Sequence, residues 1–352
     1  MNDFNIGICG HFGGNEVFLD GQTVKTKIIT NELIEKYGNQ KISTVDTYGG
    51  IKKLFGHITN FIKLIRKCNN IIILPAQHSL PIFSIILCMF NSNRGDKVHY
   101  IVIGGWLPKY LKKRPLLKKM VKKFDYIYVE TETMKRKLDL LGLENIVILP
   151  NTKHLNIIDN KSMVTEYTEP YNLCTFSRIT KQKGIETAIE AVKCINDKYG
   201  KEIYTLTNYG QIDPLYKQRF NELMSRVPSY IKYGGMVNYQ DTTDILKNYF
   251  ALIFPTEFYT EGLPGTVLDA YSAGLPVISS RWESFDDIID ENTTGIGYTF
   301  NNKKELIKLL DIIYTKPSII INMKVNCVNK SKKYLPKVAL KPLFRRLEDV
   351  DI

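Results

Sequence analysis

The sequence predicts an α/β protein built from two doubly wound, Rossmann-like parallel sheets. Three observations carry that expectation. The chain has 352 residues, enough for two domains at roughly 100–200 residues each. Short apolar runs alternate with helical patterns almost throughout, as strand–helix–strand units require. A polar stretch without periodicity at 151–168 interrupts the alternation, and then the pattern restarts.

In the first half, apolar runs mark strands at 5–9, 41–45, 71–74, 98–103, 126–129 and 146–149. Helical patterns fall between them at 23–37, 52–67, 81–90, 115–123 and 133–141. Gly142 supplies a natural stop for the last of these. The apolar stretch 71–90 is too interrupted to span a membrane, because Gln77, His78, Ser79 and two prolines break it into strand, loop and helix. In the second half, strands are expected at 171–176, 203–207, 230–233, 251–254, 276–279 and 297–300. Helices are expected at 184–198, 213–226, 240–249, 265–273 and 303–314. Two such domains would set the carboxyl ends of their strands across an interdomain cleft, where strand ends and helix N-termini bind ligands.

Apolar residues are 44% and charged residues 24% of the chain, which excludes a disordered or disulfide-stapled protein. The net charge is +12, which points to an anionic partner: nucleic acid, membrane surface or phosphorylated ligand. The excess is local. Segments 109–123 and 324–346 each carry eight basic residues and no acid, leaving the remainder at −4. In the first segment Leu116, Leu117, Met120, Val121 and Phe124 recur at helical spacing among lysines. It reads either as a basic amphipathic helix on an anionic membrane or as an ordinary surface helix with a solvated lysine face. The first ten residues have no basic region followed by an apolar stretch, so no signal peptide is expected. The six cysteines show no CxxC spacing and read as free thiols of a reducing cytosol. The five histidines form no HxxxH or HExxH pattern, so no metal site is expected.

The densest chemistry lies in 255–280, PTEFYTEGLPGTVLDAYSAGLPVISS. It reads as a loop after a strand, a helix stopped at Gly274, and a second strand. Gly262, Leu263, Pro264, Gly265 and Thr266 fall at the helix start, where unpaired backbone N–H groups favour phosphate. Glu261 sits in the loop and Asp269 eight residues on, in the helix. Two carboxylates so placed suit sugar and ribose hydroxyls on one elongated ligand.

This segment resembles the E-x7-E signature of family 4 glycosyltransferases, retaining enzymes of the GT-B fold, with Asp in place of the second Glu. The resemblance implies that Glu261 contacts the donor sugar and Asp269 the nucleotide ribose. FSRITKQKGIETAIEAV is similar to the family's Arg-x4-Lys-Gly stretch, which implies that Arg178 and Lys183 hold the donor diphosphate and stabilise its departure. CGHFGG and the helix after it resemble the family's glycine loop. There Gly13 and Gly14 would let the donor approach the backbone, while Gly21, Gln22, Thr23 and Lys25 would line the cleft. His11 reads equally as cleft lining or as a structural histidine. YGGMVNYQ resembles the segment whose backbone, around Met236, lies near the nucleotide base. The family's donor-sugar histidine has no counterpart here: the strand ends in Gly104, Gly105 and Trp106. Trp106 reads either as a ring for stacking on a sugar or as core.

The resemblance thus implies a GT-B fold with an acceptor domain at 1–160, a donor domain at 161–329, and a C-terminal stretch of about 330–352 returning to the first domain. It implies transfer of a hexose-type sugar from a nucleotide-sugar, UDP favoured, to a glycan or lipid-linked glycan. Configuration would be retained, with no metal and no cofactor beyond the donor substrate. The acceptor region would include His11, Thr23, Lys25, Gly105 and Trp106. A softer similarity to enzymes of exported-polysaccharide assembly suggests capsule or exopolysaccharide synthesis. The expected location is the cytoplasm, peripherally on the inner membrane face through helix 109–123. Two alternatives stand beside this reading. One is a nucleotide-sugar epimerase or hydrolase of the same fold. The other is a basic nucleic-acid-binding protein, for which the sequence offers no helix-turn-helix, zinc finger or RNP motif.

Overall fold

The computed structural model describes residues 4–14, 21–91 and 94–348. Within it the chain forms two compact units, Met1–His154 with Leu335–Ile352, and Leu155–Tyr334.

The first unit holds six parallel strands: β1 (Ile6–Gly10), β2 (Ile42–Asp46), β3 (Asn70–Ile73), β4 (Lys97–Ile101), β5 (Tyr126–Val129) and β6 (Ile146–Ile148), in spatial order β2-β1-β3-β4-β5-β6. Strands in such a sheet are covered on both faces and read as near-continuous apolar runs. Helices alternate with them: α1 (Gly21–Tyr37), α2 (Leu54–Lys67), α3 (Leu80–Phe90), then α4 (Leu107–Lys112) with α5 (Pro115–Val121), and α6 (Glu132–Asp139) closes the series. One apolar core gathers Phe61, Ile65, Leu80, Leu107 and Val121 against one sheet face. The opposite face packs Ile6, Ile8, Ile29, Leu33 and Leu149.

The second unit repeats the plan with β7 (Tyr171–Phe176), β8 (Tyr204–Tyr209), β9 (Ile231–Gly235), β10 (Ala251–Phe254), β11 (Val277–Ser280) and β12 (Gly295–Tyr298), ordered β12-β11-β10-β7-β8-β9 and all parallel. Its helices are α7 (Ile185–Tyr199), α8 (Lys217–Met224), α9 (Thr242–Leu246), α10 (Gly265–Ser272), α11 (Phe285–Ile288), α12 (Lys303–Thr315), α13 (Ser318–Ile321) and α14 (Lys324–Ser331). The sequence order reverses between β7 and β10. In an open parallel sheet that reversal opens a crevice at the strand ends, the usual place for a ligand. The chain then re-enters the first unit as α15 (Pro336–Ala339) and α16 (Lys341–Leu347), whose Leu340, Leu343 and Leu347 join the core around Ile29. Residues 349–352 of the expected returning stretch lie outside the described residues.

One charge expectation needs correction. Segment 109–123 is not one amphipathic helix: α4 ends at Lys112, and Pro115 starts α5 as a first-turn residue. Its apolar residues Leu117, Val121 and Phe124 are buried in the core, while Leu116 points outward. Lys324 and Lys330 are buried in the second unit, and Lys330 pairs with Asp290 at 2.8 Å. Among the described residues no helix is long and apolar enough to cross a membrane. All six cysteines are free, and Cys194 alone of them is exposed.

Candidate active site

The crevice beside β7 and β10 collects the residues singled out in the second unit. After β7 the chain forms a single 3-10 turn, Lys181–Lys183, capped by Gly184 in the left-handed region at φ 69°. A Cβ on Gly184 would overlap the Pro255 carbonyl oxygen, so only glycine lets this turn press against the chain leaving β10. That approach sets Lys183 opposite Glu261: Nζ lies 2.7 Å from Oε2. Thr256 donates its hydroxyl to the same carboxylate oxygen at 3.2 Å, and the Lys183 ammonium sits over the Phe254 ring. Both charged side chains are only partly buried (21% and 15% exposed), so the pair faces the crevice rather than the core.

Arg178 stands on the same post-β7 loop, more open, with its guanidinium 2.8 Å from Asp213. Asp213 comes from the loop after β8, and a backbone lattice locks the two loops together. Ile179 and Ile212 form an isolated parallel bridge, and the Asp213 amide donates to the Ile179 carbonyl. Gly210 has φ 135°, and a side chain there would overlap the Ser177 carbonyl.

The start of α10 completes the crevice. Gly262, Leu263 and Pro264 are buried, and Gly265 and Thr266 are half-buried. Thr266 donates its hydroxyl to the Phe176 carbonyl at 2.6 Å, tying the helix start to the end of β7. The first-turn amides have no intrahelical acceptor and carry the positive end of the helix dipole. Asp269, one turn on, is nearly buried. Burial first, and then the charge of Asp269, push the Tyr239 hydroxyl up to about 12. Met236, just beyond β9, is well exposed.

The first unit gathers a separate set at its own strand ends. His11, after β1, shares a hydrogen bond of 2.7 Å with Thr23. Two expected lining residues lie deeper than the sequence suggested. Thr23 and Lys25 are buried, and Lys25 pairs with Glu130 at 2.7 Å. They hold the strand ends together instead of presenting polar atoms outward. The glycine loop is held by Asp46. Gly13 and Gly14 both have positive φ (87° and 56°), and the Gly14 amide donates to Asp46, as do those of Phe12 and Tyr48. Burial raises the Asp46 pKa, and these three N–H bonds outweigh it, leaving the carboxyl below its ordinary range. Gly105 is buried. Trp106 donates Nε1–H to the Ile103 carbonyl and packs edge-on against Tyr110, so its ring is fixed at the rim of the core. Residues 15–20, which follow the glycine loop, lie outside the described residues.

Thr256, Asp213, Asp46 and Glu130 were not anticipated. Thr256 precedes Glu261 by five residues, so its hydroxyl was open to notice in the loop sequence. Asp213, Asp46 and Glu130 meet partners far away in sequence, on Arg178, on the loop after β1 and on Lys25. Among the described residues no three His, Cys, Asp or Glu side chains gather as a metal site.

Residues 170–315 match the family model described as glycosyl transferases group 1. The fold is GT-B. A solved structure of Anabaena Alr3699/HepE in complex with UDP and glucose superposes with a TM-score of 0.74, covering 98% of this chain and 100% of that one at 12% identity. The chain is also similar to the amylovoran biosynthesis glycosyltransferase AmsK of Erwinia amylovora, 24% identical over 131 residues, 36% of this chain and 32% of AmsK. The alpha-monoglucosyldiacylglycerol synthase of Acholeplasma laidlawii is 27% identical over 171 residues, 47% of this chain and 40% of the synthase. The chain thus spans well under half the length of these two relatives. The group 1 match contains the whole Arg178, Lys183, Glu261 and Asp269 set.

Proposed function

We propose that the chain is a glycosyltransferase that moves a hexose-type sugar from a nucleotide-sugar to a hydroxyl acceptor with retention of configuration. The observation that carries this reading is the Lys183–Glu261 pair in the crevice between β7 and β10, with Arg178 on the adjoining loop and the α10 N-terminus beside it. Two cations and a helix dipole stabilise charge developing on a departing diphosphate. Glu261 accepts hydrogen bonds from sugar hydroxyls, and Lys183 holds it in place. The acceptor oxygen bonds to the anomeric carbon as the bond to the phosphate oxygen breaks. That phosphate oxygen takes the acceptor proton, so neither a protein base nor a metal is required. UDP is the favoured nucleotide, supported by the ligands of the Anabaena neighbour.

The acceptor is a glycan or lipid-linked glycan of surface polysaccharide synthesis, and the protein works in the cytoplasm against the inner membrane face. The similarities to AmsK and to the lipid glucosyl synthase support this. So does the surface of the first unit, where α3 packs against α5. Ile85 and Met89 on α3 and Leu116 on α5 are exposed, and Leu116 falls within the basic run from Lys109 to Lys123. Exposed apolar tips among ammonium groups suit an anionic bilayer.

The test is a thermal-shift screen of UDP-, GDP- and ADP-sugars, followed by turnover with and without a lipid-linked acceptor. A UDP-sugar should raise the midpoint and be consumed only when acceptor is present, giving a product of unchanged anomeric configuration. Rapid consumption without acceptor would instead support an epimerase or hydrolase.

A further inference from the structure

The second unit has another cavity, of about 680 Å³, and none of Arg178, Lys183, Glu261 or Asp269 lines it. The size lies in the range of about 300–1,000 Å³ usual for small-molecule sites. It exists because an interior strand is left open on one side. β8 lies between β7 and β9. Its Tyr204 and Leu206 are buried in the core with α7, yet Thr205, Thr207 and Tyr209 on the other face are only half-buried. A parallel sheet normally has a helix over both faces. Here α9 is five residues long, and its side of the cavity is formed by Asp241, Asp244 and Asn248.

The chemistry of the lining narrows the occupant. The floor is a ladder of uncharged hydrogen-bonding groups, with Thr205 donating to Asn172 at 2.8 Å. At one end Tyr249 bonds both the Thr207 hydroxyl and the Tyr209 hydroxyl, the latter at 2.9 Å. Their rings flank the cavity there, and Tyr230 lines it near Glu202 and Ser229. The lining carries three carboxylates, Glu202, Asp241 and Asp244, against one ammonium, Lys232. Asp244 is itself tied to Lys247 at 2.5 Å. In a chain of net charge +12 this patch repels phosphates and other polyanions. Paired carboxylate and amide acceptors, hydroxyls and tyrosine rings are the groups that hold vicinal diols and pack against pyranose faces.

We propose that this groove is an accessory glycan-binding site that takes a short neutral oligosaccharide, separate from the transfer site. The inference does not rest on the transfer reaction, because the groove is defined by its own lining.

The test is ligand-observed saturation-transfer NMR on the full chain with maltotriose, cellotriose and isomaltotriose. The wild type and Glu261→Ala should bind at least one of them with a dissociation constant below about 10 mM. Thr207→Trp, which fills the groove, should weaken that binding by about tenfold or more. If Thr207→Trp does not fold, the milder exposed variant Asn248→Ala with Lys232→Ala should weaken binding in the same direction. No binding of any of the three by wild type overturns the proposal. So does undiminished binding in the groove variants, or spermidine binding in the groove in place of the sugars. Because no turnover is measured, failure here leaves the glycosyltransferase reading untouched, and loss of that reading leaves this one.

Discussion

The Lys183 ammonium and the Glu261 carboxylate, 2.7 Å apart, join the loops that follow β7 and β10 across the point where strand order reverses. The pair spans 78 residues of sequence, and one glycine, Gly184, makes the approach possible. Removing either partner leaves a half-buried charge facing the crevice without its counter-ion. Lys183→Ala and Glu261→Gln should each lower kcat by about 10²–10³. The melting midpoint should stay within a few degrees of wild type in differential scanning calorimetry. Near-native turnover in both variants would remove them from the reaction.

Asp213 lies 2.8 Å from the Arg178 guanidinium, and under the proposed reading it would position Arg178 toward the donor diphosphate. Asp213→Ala should therefore act on donor binding. Steady-state kinetics should show donor KM raised about fivefold, by about 1 kcal/mol, with kcat within about twofold. Asp213→Glu should recover part of the loss. A fall in kcat with KM unchanged would mean that Asp213 does something other than position Arg178.

His99 gives the fold an acid sensitivity. It is buried in β4, where Nδ1 meets the Tyr128 hydroxyl at 2.9 Å and Nε2 meets Asn70 at 3.3 Å. Burial, helped by the nearby Lys97 charge, pushes its pKa down to about 3. Below the ordinary histidine value near 6.5, the unfolded chain binds a proton that the folded chain refuses. Stability is then fully present above about pH 6.5 and declines as pH falls toward 3. Urea unfolding at pH 7 and pH 5 should show wild type losing about 2 kcal/mol more than His99→Gln over that interval. Equal losses would mean that His99 does not carry the effect.

The lysines of α5 and the turn after it bear on membrane contact. With Leu117 and Val121 buried and Leu116 exposed, the proposed bilayer contact would be made by charge and by Leu116, without insertion of the whole segment. Replacing Lys118, Lys119, Lys122 and Lys123 with Glu should abolish flotation with anionic liposomes. Wild-type flotation should itself fade as salt is raised past about 0.15 M. Equal flotation of both proteins would exclude this surface.

Most of the sheet plan is readable in the sequence because parallel strands are continuous apolar runs. The runs at Tyr126–Val129, Tyr171–Phe176 and Ala251–Phe254 have the boundaries expected of them. Glu261, Arg178 and Lys183 stand out because their spacing follows local turns and a helix start. Lys25 is misleading for the opposite reason. Its partner Glu130 lies 105 residues away, and nothing near Lys25 in sequence distinguishes a buried ammonium from an exposed one. The break between α4 and α5 is hidden by lysine on both sides, although Pro115 marks it. The helices α13, α15 and α16 are four to seven residues long, too short to show a helical period.

The last helix carries a consequence for biosynthesis. Leu340, Leu343 and Leu347 close the core that begins with Ile6 and Ile8, so the sheet of the first unit lacks a wall until these late residues have been made. The second unit, by contrast, is one uninterrupted stretch and has every strand in hand much earlier. Removing the segment that carries Leu340, Leu343 and Leu347 would therefore injure the first unit, although most of that unit lies far earlier in the sequence.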